Sequence, residues 1–360
     1  MTVKNFQLKK FKKSTDFYSV ESQAPSNIAL IKYWGKQGLQ LPKNPSISFT
    51  LSNCRTNTKI NFTRKQRPST QINFDVFHKG KPALGFKPKI TQFFERISEY
   101  VPFIFDYEME IHTSNSFPHS SGIASSASGM AALTACLIEF EKQVSMENKT
   151  EGYYKQKTSF LARLGSGSAS RSVAGPLMLW GKHKDFKQSS DDFAIALDAS
   201  IHPVFKTYQD TILLVDRGQK KVSSSAGHNL MNGHPFAAQR FEQAKTRISQ
   251  LRDILKNANL DEFIKLVESE ALTLHAMMMT SDPYYLLMKA DTVNVIERIW
   301  HFREETGSKI CFTLDAGANV HLLYPKAEKE KVKIFIDQEL TQFCQEKAYI
   351  HDEVGGGVEV

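Results

Sequence analysis

Along the chain, short apolar runs with partial alternation give way to segments whose apolar residues recur every three or four positions, so strands and helices are mixed in both halves. Residues 46–63 and 70–78 are rich in Ile, Phe, Thr and Val and predict strands, as does Met109 to Thr113. Phe86 to Tyr100 carries apolar residues at helical spacing. A Ser/Gly/Ala stretch from Ser120 passes into Met130, Leu133, Leu137 and Phe140, the spacing of one helix face. Further on, the pattern predicts strands at 210–216 and 309–314 and helices around 234–257, 260–279, 284–305 and 326–343. A break rich in Lys, Asp, Ser and Gln at 182–193 separates the halves. The expected organisation is a basic tail over 1–20, a first domain over 21–190 and a second over 191–360, in an α+β architecture. No internal repeat or low-complexity tract interrupts it, which excludes solenoids.

Composition narrows the class. At 360 residues with 41% hydrophobic and 23% charged side chains, the chain can bury a sizeable core and needs no disulfides. Cys54, Cys136, Cys311 and Cys344 are scattered, form no C-x-x-C pair, and read as buried thiols of a reducing compartment. No apolar stretch is long enough for a membrane span, and the basic start has no uninterrupted apolar segment behind it. These features predict a soluble cytoplasmic protein without a membrane partner. The net charge is +8, but Lys4, Lys9, Lys10, Lys12 and Lys13 supply five of it, and that segment reads as a solvated terminus. The small remainder does not predict a nucleic-acid surface.

Four segments carry candidate chemistry. Pro118-His-Ser-Ser-Gly122-Ile-Ala-Ser125-Ser126-Ala-Ser128-Gly129 places small residues where a loop feeds a helix. The first N–H groups of a helix lack internal partners, so the segment suits a nucleotide phosphate, or else tight helix packing. Gly165-Ser166-Gly167-Ser168-Ala-Ser170-Arg171 adds a guanidinium fork that grips a carboxylate or phosphate through two hydrogen bonds, or else forms a surface ion pair. Asp315 follows the apolar run Ile310–Leu314 at a glycine turn, placed for a ligand or for turn capping. Lys32 follows an apolar run in Asn27-Ile-Ala-Leu-Ile-Lys32-Tyr33-Trp34-Gly35-Lys36, as a functional or a snorkelling lysine. There is no H-E-x-x-H, neither His228 nor His234 has a ligand partner at usable spacing, and no structural metal is expected. A nucleophile elbow is met only in broken form at Gly165-Ser-Gly-Ser-Ala.

With these residues assembled, the chain resembles the GHMP small-molecule kinase superfamily and, within it, the diphosphomevalonate decarboxylases. The resemblance is carried by Ala24 to Lys36, Asn44-Pro-Ser-Ile-Ser48, Phe117 to Gly129, Gly165 to Ser172, Val222 to Ser225 and Leu314 to Asn319. It implies a two-lobed fold, with a ribosomal-S5-like N-terminal domain, a ferredoxin-like α/β C-terminal domain and an active site in the cleft between them. It also implies ATP and Mg²⁺, a homodimer, and a reaction that phosphorylates the 3-hydroxyl of 5-diphosphomevalonate, expels phosphate and loses CO₂ to give isopentenyl diphosphate.

The same resemblance assigns roles. Asp315 matches the catalytic aspartate, Lys32 the lysine that keeps it ionised, and Arg171 the arginine that holds the substrate carboxylate. Tyr33, Lys36, Ser166, Ser168 and Ser224 match substrate contacts. Pro118, Ser121, Gly122, Ala124, Ser125 and Ser126 match the ATP cradle, with Ser125 as a candidate Mg²⁺ contact. The chain departs from the family at Ala318, usually Pro, at His119-Ser-Ser, often Thr-Ala-Ala, and at Ser225, where several members carry a basic residue. His78, Lys79 and Lys81 offer replacement charge in a strand-turn segment that otherwise reads as solvated. The alternatives are a monophosphate decarboxylase, a mevalonate 3-kinase, and a non-catalytic binding protein on the same fold. A clamp on the carboxylate favours a decarboxylase over a kinase.

Overall fold

The 19-residue strand Ser46–Arg64 spans both cores of the molecule. Its first six residues are buried on both faces, whereas from Cys54 onward buried and more exposed residues alternate. Ile60 and Phe62 belong to the first-lobe core with helix Ser125–Val144, while Ile47, Phe49 and Leu51 pack with Phe205, Tyr208 and Phe263 of the second half. The computed structural model describes residues 3–12, 16–67, 69–118, 123–197, 201–218 and 224–360, with Ser224 and Ser225 by backbone only.

Strand Ser46–Arg64 pairs antiparallel with Phe17–Ile31 along its length, with Tyr107–Asn115 at one end and with Leu177–Trp180 at the other. Asn73–His78 joins Tyr107–Asn115 in parallel, and Ala194–Ala196 extends the sheet beside Leu177–Trp180. Helices Lys87–Ile97, Ser125–Val144 and Glu151–Gly165 contribute to the core that covers it. The second lobe is a four-stranded antiparallel sheet in the order Cys311–Leu314, Val320–Tyr324, Gln209–Leu213, Tyr349–Glu353. Helices Ala237–Asn257, Leu260–Met279 and Ala290–Thr306 contribute to its packing.

The chain's last residues return to the first lobe. The Asp352 carboxylate accepts backbone N–H bonds from Ser52, Asn53 and Cys54 at 2.9, 2.8 and 2.6 Å. Beyond it, Gly355 donates its N–H to the Thr50 carbonyl and accepts at its own carbonyl from the Thr50 hydroxyl, and Val358 donates to the Val173 carbonyl at 3.1 Å. Segment 354–360 therefore runs as a strap beside the backbone that follows Arg171.

The lysine-rich start departs from the expected solvated terminus. Phe6 and Leu8 stand among the lysines, and burying them anchors the segment. Phe6 is fully buried against Phe160, Tyr153 and Phe193, and Lys12 donates its backbone N–H to Val144. Two other expectations need adjustment. The helix expected from 284 begins at Ala290, after Pro283 and a stretch without regular structure that ends in the extended Lys289. The helix expected over 326–343 is a succession of 3-10, α and π turns. Among the described residues, no helix is long and apolar enough to cross a membrane.

Candidate active site

A cleft of about 470 Å³ opens between the lobes, and Lys32, Arg171 and Asp315 all line it. Lys32 ends the apolar run of strand Phe17–Ile31, and Asp315 is the first residue after strand Cys311–Leu314. The Lys32 ammonium donates to Asp315 Oδ1 at 3.1 Å, with the lysine buried and the carboxylate partly open to the cleft.

The backbone on each side of this pair is held. Lys32 donates its N–H to Glu270 Oε2 at 2.9 Å and accepts at its carbonyl from Asn44 and Arg240. Glu270 is fully buried and ion-paired to Arg240 and Arg247, each at 2.6 Å. Removing Glu270 would leave the buried Arg240 guanidinium without its carboxylate. His275 Nε2 donates to the Asp315 carbonyl at 3.1 Å. Burial lowers the Lys32 pKa below its ordinary value, against the opposing pull of Asp315.

Arg171 sits on the 3-10 helix Gly167–Ser172 and is only 3% exposed. Its Nη1 donates to Ser46 Oγ and its Nη2 to Asn27 Oδ1 at 3.3 Å, while its Nε has no partner among the described residues. Among the described residues no carboxylate forms an ion pair with it. Burial brings its pKa down to about 10, with Asp315 opposing the shift. A buried guanidinium held by neutral groups keeps its charge for an incoming anion. A Cβ at Gly167 would stand 2.8 Å from the Trp180 ring and 2.9 Å from the Tyr33 hydroxyl, so glycine lets this helix lie against both rings.

Other sequence candidates converge here. Tyr33, Lys36, Ser166, Ser168, Ala124 and Ser126 line the cleft. The Tyr33 hydroxyl is buried without a hydrogen-bond partner among the described residues, and burial raises its pKa. Lys36 is lowered by burial and, secondarily, by Arg96. Ala124 caps helix Ser125–Val144 in the left-handed conformation, with φ 44°, which costs strain in a residue other than glycine. Ser126 Oγ lies 3.4 Å from Ser166 Oγ, tying the helix start to the Arg171 loop.

Some candidates do not join the cleft wall. Pro118 and Ser125 are partly buried beside it without lining it. Ser121, Gly122 and the departure at His119-Ser-Ser lie outside the described residues, as do the side chains of Ser224 and Ser225. His78, Lys79 and Lys81 belong to an edge hairpin and do not line the cleft. Sequence reasoning missed Lys89, Gln92 and His228, which do. Lys89 and Gln92 sit on the helix that begins at Lys87-Pro88, and that basic helix start was the one signal available for Lys89.

The chain is similar to known proteins along most of its length. A model of the diphosphomevalonate decarboxylase-like N-terminal domain matches residues 24–194, and one of the mevalonate 5-diphosphate decarboxylase C-terminal domain matches residues 211–355. The diphosphomevalonate decarboxylase of Saccharomyces cerevisiae is 29% identical over 89% of this chain and 81% of its own length. The mevalonate diphosphate decarboxylase structure from Staphylococcus aureus superposes with a TM-score of 0.80 at 28% identity, covering 95% of this chain and 98% of its own. The structure of MDDEF in complex with MVAPP, AMPPCP and magnesium gives the same TM-score and coverage at 26% identity. With both domain models matched in order along one chain, the protein belongs to the diphosphomevalonate decarboxylase family.

Proposed function

We propose that this chain converts (R)-5-diphosphomevalonate and ATP to isopentenyl diphosphate, ADP, phosphate and CO₂, the decarboxylation step of a mevalonate route to isoprenoids. The observation that carries the site assignment is the Lys32–Asp315 pair at 3.1 Å in the cleft that also holds Arg171, a buried cation with no acidic partner among the described residues.

In this reading Asp315 takes the proton of the 3-hydroxyl as its oxygen attacks the terminal phosphorus of ATP, and Lys32 supplies the neighbouring positive charge. That attack forms an O–P bond as the bond to ADP breaks, and the C3–O bond then breaks with its electron pair on the departing phosphate. Arg171 holds the carboxylate so that the C–C bond behind it supplies the pair for the new double bond as CO₂ leaves. Ser166, Ser168 and Tyr33 position the substrate, and Lys36 and Lys89 face its diphosphate. Ser224, at the start of its helix, belongs to the same end. The segment Pro118–Ser126, with Ser121, Gly122 and Ala124, binds the ATP phosphates at the helix N-terminus. Ser125 is an oxygen donor of the kind that would hold Mg²⁺, which would supply charge neutralisation for the transferring group.

Residues 21–190 then form the ATP-binding half and 191–360 the decarboxylase half. All four cysteines are free and buried, which supports a cytoplasmic enzyme, and its assembly is taken to be a homodimer. The test is product analysis with ATP, Mg²⁺ and either mevalonate 5-diphosphate or 5-phosphate. Equal ADP and CO₂ from the diphosphate support the reading. ADP without CO₂ identifies a 3-kinase, and CO₂ mainly from the monophosphate reassigns the substrate.

A further inference from the structure

None of the roles above uses His228, although its ring lines the cleft. It belongs to the short helix Ser224–Asn229 and lies against Tyr33 and Trp34, with ring centroids 4.3 and 4.6 Å away. Its Nδ1 accepts the backbone N–H of Gly35 at 3.0 Å. A nitrogen that accepts carries no proton, so the neutral ring bears its hydrogen on Nε2. Burial, then Lys36 and Arg171, push the His228 pKa down to about 3, which keeps the ring neutral throughout the physiological range.

The residue therefore offers one uncharged N–H donor whose orientation is set by a backbone bond and two aromatic neighbours. Lys36 and Arg171 are the charges that act on the ring, and both line the same cleft. A donor in such a field is complemented by an anionic oxygen.

We infer that His228 holds an oxygen of the substrate's diphosphate through its Nε2–H. The inference rests on reading the cleft as a diphosphomevalonate site.

The test compares wild type, His228→Met and His228→Gln. Calorimetric titration with mevalonate 5-diphosphate gives substrate Kd, competition by inorganic pyrophosphate isolates the diphosphate, and turnover gives the KM for ATP. His228→Met fills the same space without a donor, and should weaken substrate and pyrophosphate binding about tenfold, as for loss of a hydrogen bond to a charged group. His228→Gln restores an N–H and should recover most of that loss, with the KM for ATP within about twofold of wild type in both variants. Unchanged pyrophosphate binding in His228→Met overturns the inference, as does an equal rise in the KM for ATP. Normal CO₂ release with no dependence of binding on His228 sinks this contact alone. Dependence on His228 without CO₂ release sinks the proposed reaction and leaves the contact standing.

Discussion

The Lys32 ammonium meets the Asp315 carboxylate at 3.1 Å across 283 positions of sequence, joining the end of a first-lobe strand to the first turn after a second-lobe strand. Glu270 and His275, both on helix Leu260–Met279, hold the two backbones at this junction. One helix thus sets the distance between the two charged groups.

This pair has a pH signature. Burial keeps the Lys32 pKa below its ordinary 10.5 despite Asp315. As pH rises through that lowered value the ammonium loses its proton, and Asp315 loses its neighbouring cation. We expect kcat to fall on the alkaline side at a pH below 10.5, and Lys32→Arg, which stays protonated, to shift that limb upward. A kcat–pH profile at constant ionic strength measures it. A limb that stays in place in Lys32→Arg contradicts the assignment.

Arg171 should couple the two halves of the reaction. Arg171→Met removes the grip on the substrate carboxylate, and kcat/KM should fall about 10²-fold or more. The ratio of CO₂ to ADP should also drop below one, because phosphorylation no longer aligns the bond that breaks. Simultaneous assay of both products decides this; full coupling in the variant would remove Arg171 from the role.

The C-terminal strap gives a paired test. A Cβ at Gly357 would stand 2.6 Å from the Val173 carbonyl oxygen and 2.7 Å from the Ala174 Cα, backbone atoms two and three residues beyond Arg171, whereas one at Gly356 meets nothing within 4 Å. Gly357→Ala should cost about 1–3 kcal/mol, lower Tm by a few degrees and raise the substrate KM more than the KM for ATP. Gly356→Ala should behave as wild type. Equal melting curves for the two variants would show that the strap does not bear on the Arg171 helix.

At the other terminus, Phe6→Ala should destabilise the fold by about 3–5 kcal/mol, since the ring is fully buried between Phe160, Tyr153 and Phe193. Lys9→Ala, on an exposed side chain, should leave stability within about 0.5 kcal/mol. Urea denaturation of the two variants measures the contrast, and a Phe6→Ala midpoint equal to wild type would contradict the packing described.

Clean periodicity made part of this fold legible. Helix Leu260–Met279 spans the residues its pattern predicts, because polar and apolar faces are separated along it. Helix Glu151–Gly165 escaped notice because Lys157, Thr158, Ser159 and Arg163 are buried with its apolar residues, which erases the stripe. Strands Leu177–Trp180 and Val320–Tyr324 are short and buried along their whole length, so they show no alternation. In the cleft, Lys32, Arg171 and Asp315 each stand in a local motif and could be singled out. Lys89 and His228 reach the site only through tertiary packing of a helix and a short turn of helix. Phe6 was hidden by the charge of its neighbours.

The most direct test of the account is Asp315→Asn, assayed for ADP and CO₂ at saturating mevalonate 5-diphosphate and ATP, with substrate Kd measured alongside. The substitution keeps the shape of the side chain and removes its base. The account predicts that both products fall together by about 10²–10⁴-fold while substrate binding holds within a few fold. Wild-type rates of ADP and CO₂ formation in Asp315→Asn would contradict it.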